Sequence, residues 1–225
     1  MLTKQKSIAM LVFYVAGFLI LPVAVSLIVI VLGFSGLYML SIVNFVTYFI
    51  LCAVLLFLSR DVFKEDFKKI GPWTNFAAYM VLGLLFTFGA TLIGNLTVIL
   101  LGTTDIPENQ YLIENILNTM PILMIVTAVI FGPIVEEIIF RLVLMNLFNW
   151  KPIYKLIFSS LIFGFLHVIA GSWIHIIPYT LIGLVFGYFY LKFQNIWHIT
   201  ILHILHNAIT VGLTLQVQQM MENYI

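Results

Sequence analysis

Gly132-Pro133-Ile134-Val135-Glu136-Glu137-Ile138-Ile139-Phe140-Arg141 sets two adjacent carboxylates and a guanidinium inside an apolar run that reaches from Met120 to about Phe148. Each ionisable group near a bilayer centre costs roughly 2.5–3.5 kcal/mol on insertion scales, so three unpaired ones would cost about 10 kcal/mol. A chain keeps such a set either as an ion pair between packed helices or as an active site.

The rest of the chain makes a bilayer the right reference. Of 225 residues, 63% are hydrophobic and 8% charged, and mean hydropathy is +1.15, outside the range of a soluble globular domain. The composition predicts an all-α polytopic membrane helix bundle. The net charge of +1 carries no nucleic-acid signature. Cys52 is the only cysteine, so an intramolecular disulfide is excluded. The run from Ile8 to Leu32 is about twice the length of a signal h-region and reads as a retained first span.

A span needs about 20 apolar residues. That criterion predicts seven, over 8–32, 37–59, 76–101, 119–148, 153–171, 174–191 and 197–214, with long connections at 60–75 and 102–118. With the N-terminus cytoplasmic, Lys4, Lys6, Arg60, Lys64, Lys68, Lys69, Lys151, Lys155 and Lys192 all fall on the cytoplasmic side, and the external loops hold no Lys or Arg. The tenth basic residue is Arg141, inside the membrane. The C-terminal tail, 215–225, is then expected outside. Lys64, Lys68 and Lys69, interleaved with Asp61, Glu65 and Asp66, read as a solvated loop.

Within the fourth span Pro133 lacks a backbone donor and disfavours helix in the residue before it, which predicts a kink or break and carbonyls left free near the glutamates. Membrane proteins tolerate such groups only where protein or a wet cavity covers them. Glu137 and Arg141 are four residues apart, acid first, so they share a face and can pair. Glu136 points about 100° away and is left without that partner, as suits a general base that exchanges protons with water.

Two later spans add polar groups: His167, after Phe163-Gly164-Phe165-Leu166, and His203-Ile204-Leu205-His206-Asn207. His203 and Asn207 share a face at i and i+4, a pair suited to holding an oxyanion or an amide. At 1.5 Å per residue from the expected cytoplasmic ends, Glu136 and His167 lie roughly 20 Å deep, Asn207 about 16 Å and His203 about 10 Å. His175 and His198, at span ends, are expected to be interfacial.

In this order and on separate spans, Glu136-Glu137-x-x-x-Arg141, Phe163-x-x-x-His167 and His203-x-x-x-Asn207 resemble the CPBP intramembrane proteases, the CAAX proteases and bacteriocin-processing enzymes also called the Abi family. The resemblance covers roughly 117–214, which makes 1–116 an N-terminal three-span region and 117–214 the catalytic core. It implies that Glu136 activates the attacking water with help from His167, that His203 and Asn207 support the oxyanion, and that Glu137 paired with Arg141 holds the site in shape. Leu142 stands where the family usually has glycine. The implied substrate is a membrane-associated peptide or membrane protein, and the small size and short loops resemble bacterial relatives of the plasma membrane.

The family is often described as metalloproteases. Zinc held by Glu136, His167 and His203 is chemically reasonable. Against it, the chain has no His-Glu-x-x-His, and Arg141 beside the carboxylates opposes a cation; the expectation is glutamate-activated water without an obligatory metal. Other classes compete. Gly33-Phe34-Ser35-Gly36 mimics a rhomboid serine motif but falls at a turn. A proton-coupled transporter would use Glu136 and His167, yet no repeated halves are visible. A non-catalytic scaffold or bacteriocin-immunity protein would keep the same fold without needing Glu136, His167 and Asn207 together.

Overall fold

The computed structural model describes residues 2–223 and is helical throughout, with no strand among the described residues. The elements are α1 (Lys4–Val31), α2 (Gly36–Phe67), α3 (Trp73–Leu100), α4 (Glu108–Thr119), α5 (Pro121–Leu147), α6 (Pro152–His167), α7 (Trp173–Phe193) and α8 (Ile196–Glu222). Local chemistry marks their ends. Thr3 Oγ1 caps α1 by accepting from the Lys6 N–H, and Asn195 Oδ1 caps α8 by accepting from the Trp197 N–H. Pro121 and Pro152 open α5 and α6, where a missing N–H leaves no unmet bond. Gly33 and Gly36 take positive φ in the α1–α2 turn, so the serine between them sits in a turn, as its composition predicts.

Six of these helices are long and apolar enough to cross a membrane. The fifth expected span, 153–171, differs: α6 has 16 residues, about 24 Å of helix against about 30 Å of hydrocarbon. Two connections also differ from expectation. The 60–75 segment continues α2 to Phe67, and the 102–118 segment contains α4, whose Ile116 and Leu117 are buried with Met124 and Val211. The expected tail, 215–225, extends α8 through Glu222; its last two residues lie outside the described residues.

Neighbour pairs define the helix directions. α6 and α7 are antiparallel and close: a Cβ on Gly164, Gly183 or Gly187 would run into Thr180, Ser160 or Leu156 respectively. α3 lies antiparallel to α7 through Phe86–Phe189 and Tyr79–Phe193. α5 and α8 are antiparallel, as Glu137 meets His203 and Ala128 meets Asn207. α2 runs parallel to α5, pairing Asn44 with Met124 and Phe45 with Phe131. This alternation gathers the nine basic residues outside α5 at one end of the bundle, with α4 at the other. Leu19, Val23 and Leu27 on α1 and Leu85 and Leu92 on α3 are exposed, as hydrocarbon-facing side chains are.

The segment read as a solvated loop holds an anchor instead. Asp66 is buried; its Oδ2 accepts from the Ile196 N–H at 3.0 Å, and its carbonyl accepts from Asn195 Nδ2 at 2.7 Å. Trp197 Nε1 donates to the Phe63 carbonyl at 2.7 Å. The end of α2 thus fixes the start of α8.

Candidate active site

α5 does not break at Pro133. It widens, with π-helical turns at Thr127–Phe131 and Ile138–Leu144 on either side of Gly132–Glu137. The Gly132 N–H donates five residues back to the Thr127 carbonyl. In that register the next carbonyl, Ala128, would be met by residue 133, which is proline and has no N–H. Asn207 Nδ2 donates to it instead, at 2.8 Å. The freed carbonyl expected from the sequence is real, and a side chain of α8 covers it.

Glu137 is fully buried. Its Oε2 accepts from Arg141 Nε at 3.1 Å and its Oε1 faces His203 Nδ1 at 2.8 Å. Arg141, equally buried, donates through Nη1 to Ser159 Oγ at 2.8 Å and lies 5.4 Å from the Phe163 ring centroid. Ser159 Oγ donates onward to the Phe140 carbonyl at 2.7 Å. A buried pair repays desolvation only with further hydrogen bonds; Ser159 and His203 supply two, and Arg141 Nη2 has no partner among the described residues. Neither role was read from the sequence, although Ser159-Ser160 in an apolar helix was a visible signal.

Glu136 has a different setting. Its side chain is 16% exposed where that of Glu137 is 0%, and its nearest nitrogen partner is His203 Nε2, 3.7 Å from Oε2. Its Oε1 looks toward Gly132, 3.8 Å from where a Cβ there would stand. His203, packed on Phe186 at 4.3 Å, bridges the two glutamates. Because the Glu137 carboxylate can only accept, Nδ1 of His203 carries a proton, which turns Nε2 toward Glu136.

His167 ends α6, its ring tilted against Phe163 at 4.4 Å and stacked on Tyr179 at 4.6 Å. Its Nδ1 donates to the Phe163 carbonyl at 2.7 Å, so in the neutral ring Nε2 keeps a free lone pair. Among the described residues no His167 nitrogen comes within 4.0 Å of a carboxylate oxygen, and the histidine beside Glu136 is His203. The structure therefore brings Glu136, Glu137, Arg141 and His203 into one cluster, sets Asn207 one turn further along α8, and places His167 across Phe163. His175 and His198 sit in the first turns of α7 and α8 and are buried in protein; the His198 ring packs among Phe76, Tyr79 and Phe193.

Among the described residues no three His, Cys, Asp or Glu side chains form a cluster that could hold an ion; of the zinc ligands the resemblance allows, Glu136 and His203 Nε2 face each other at 3.7 Å, and His167 stands apart across Phe163.

A buried polar cluster inside an apolar helix bundle marks a membrane protein with chemistry, or a specific ligand, at its centre. Comparison makes the class specific. Residues 118–209, which hold all seven positions named in the motifs, match the family described as Type II CAAX prenyl endopeptidase Rce1-like. The chain is also 29% identical over 176 residues to "Putative membrane peptidase YdiL" of Bacillus subtilis (strain 168), covering 75% of this chain and 70% of that protein. No solved structure matches significantly. Residues 118–209 thus match a CAAX-protease family, with the three motifs of the CPBP resemblance inside the match, and the chain is an integral membrane protein similar to a membrane peptidase.

Proposed function

We propose that the chain is an intramembrane endopeptidase that hydrolyses a peptide bond of a membrane-associated peptide or protein by glutamate-activated water. The observation that carries this reading is the division between two neighbouring glutamates: Glu137 is fully buried and bonded at both oxygens, while Glu136 is partly open and only loosely engaged.

In this reading Glu136 takes a proton from water, and the hydroxide attacks the scissile carbonyl carbon. His203 Nε2, once protonated, and the second Nδ2 proton of Asn207 stabilise the oxyanion. The lone pair of His167 Nε2 helps hold the water. As the tetrahedral intermediate collapses, the C–N bond breaks and the proton held by Glu136 passes to the leaving amine, so one water yields one acid and one amine. No step passes through a metal. Glu137 and Arg141 act by fixing His203 and the wide turns of α5. The cluster of basic residues at one end of the bundle supports a cytoplasmic N-terminus, and the short loops support a bacterial plasma membrane as the setting.

The test is cleavage of a membrane-associated peptide by the purified protein, compared with Glu136→Gln. That substitution is expected to lower the rate about 10²–10⁴-fold without unfolding the protein. Full activity in a folded Glu136→Gln variant would overturn the reading.

A further inference from the structure

Ser159 and Ser160 are both fully buried on α6, and their hydroxyls serve different helices. Ser160 Oγ donates to the Leu156 carbonyl at 2.8 Å, four residues back on its own helix, the ordinary bond of a serine in a helix interior. Ser159 Oγ reaches across to α5, where it accepts from Arg141 Nη1 at 2.8 Å and donates to the Phe140 carbonyl at 2.7 Å, inside the second wide turn. Arg141 Nε goes to Glu137 on the same helix, and Nη2 has no partner among the described residues. Ser159 is therefore the side chain that ties the guanidinium to a second helix.

Position along α6 gives that tie a wider reach. Ser159, Phe163 and His167 follow at intervals of four and form one stripe down the helix. Phe163, in the middle, meets Phe140 edge-on at 5.1 Å, lies 5.4 Å from the Arg141 guanidinium carbon and packs on His167 at 4.4 Å. His167 stands two turns, about 12 Å, beyond Ser159.

We propose that Ser159 is a positioning residue of this site. Its two hydrogen bonds fix the register of α6 against α5, and so the height of His167 relative to Glu136. Through Arg141 the same hydroxyl completes the ion pair whose Glu137 Oε1 faces His203 Nδ1. The catalytic role rests on the peptidase reading; the two bonds do not. Without them α6 is free to slip along α5 and carry His167 away from the water, and a misplacement of about 1 Å can cost on the order of 100-fold in rate.

The test compares Ser159→Ala with Ser160→Ala in the full-length protein in detergent. Each removes one buried oxygen from neighbouring positions of α6, but only the first breaks a contact with α5. Ser159→Ala is expected to lower kcat about 10- to 100-fold with KM near wild type, and Ser159→Thr, which keeps a hydroxyl, is expected to recover most of that loss. Ser160→Ala is expected to keep wild-type kcat. Equal kcat in the two alanine variants, measured below their melting temperatures, would overturn the proposal. Independently of activity, the NMR resonance of the His203 Nδ1 proton, assigned by its loss in His203→Gln, is expected to move in Ser159→Ala and to stay in place in Ser160→Ala. An unmoved resonance in Ser159→Ala overturns the link from Ser159 to the site. A moved resonance in a protein that cleaves no peptide upholds that link and sinks the peptidase reading instead.

Discussion

His203 Nδ1 lies 2.8 Å from Glu137 Oε1, a bond between the last helix of the chain and the fully buried carboxylate of α5. One side chain thereby ties the ion pair of α5 to the open carboxylate, because the other nitrogen of the same ring faces Glu136. In the proposed mechanism Glu137 shapes the site without touching a substrate.

That arrangement separates the two glutamates experimentally. Glu137→Ala leaves Arg141 buried and uncompensated, a loss of about 3–5 kcal/mol, and is expected to melt far below Glu136→Ala. Replacing the pair together, Glu137→Leu with Arg141→Met, is expected to recover most of that stability and none of the activity, since His203 loses its acceptor. Thermal melting in detergent and cleavage assays on the same preparations check both statements.

Asn207 has two candidate duties, the Ala128 carbonyl and the oxyanion. Asn207→Ala orphans a buried carbonyl, costing about 1–3 kcal/mol, and also removes an oxyanion donor, costing about 10²–10³ in kcat. A variant that melts lower yet keeps full kcat would confine Asn207 to covering the open turn of α5.

Asp66→Ala removes the carboxylate that accepts from the Ile196 N–H at the start of α8. A lost cap of this kind costs about 1–2 kcal/mol. Hydrogen exchange is expected to rise first in the opening turn of α8, and Asp66→Asn, which keeps an acceptor oxygen, is expected to protect it.

Chelation addresses the metal directly. Glutamate-activated water predicts that a strong chelator leaves the rate unchanged. Inactivation by chelator with recovery on adding zinc would replace that mechanism with a metal-bound nucleophile.

The sequence made the local relationships readable and left the distant ones open. Glu137 and Arg141 pair as i, i+4 spacing demands, and the proline in α5 frees a carbonyl as its missing N–H requires. Depth counting, however, set His203 about 10 Å shallower than Glu136, yet the two are neighbours. Counting assumes that helices begin in a common plane, and these do not: α8 starts where Asp66 holds it, and α5 ends at Leu147. The charges of 60–67 looked like loop because their pattern is that of a solvated helix as well, and only tertiary contact reveals that Asp66 points inward.

The brevity of α6 bears on the supply of a reagent. An apolar helix of 16 residues falls about 6 Å short of the hydrocarbon thickness, and a bilayer answers such mismatch by thinning around the protein. His167 is the final residue of that helix, and the backbone of the turn beyond it cannot face dry lipid. Where α6 stops short, the lipid barrier is expected to be thinnest, and His167, whose Nε2 keeps a free lone pair for water, stands at that end.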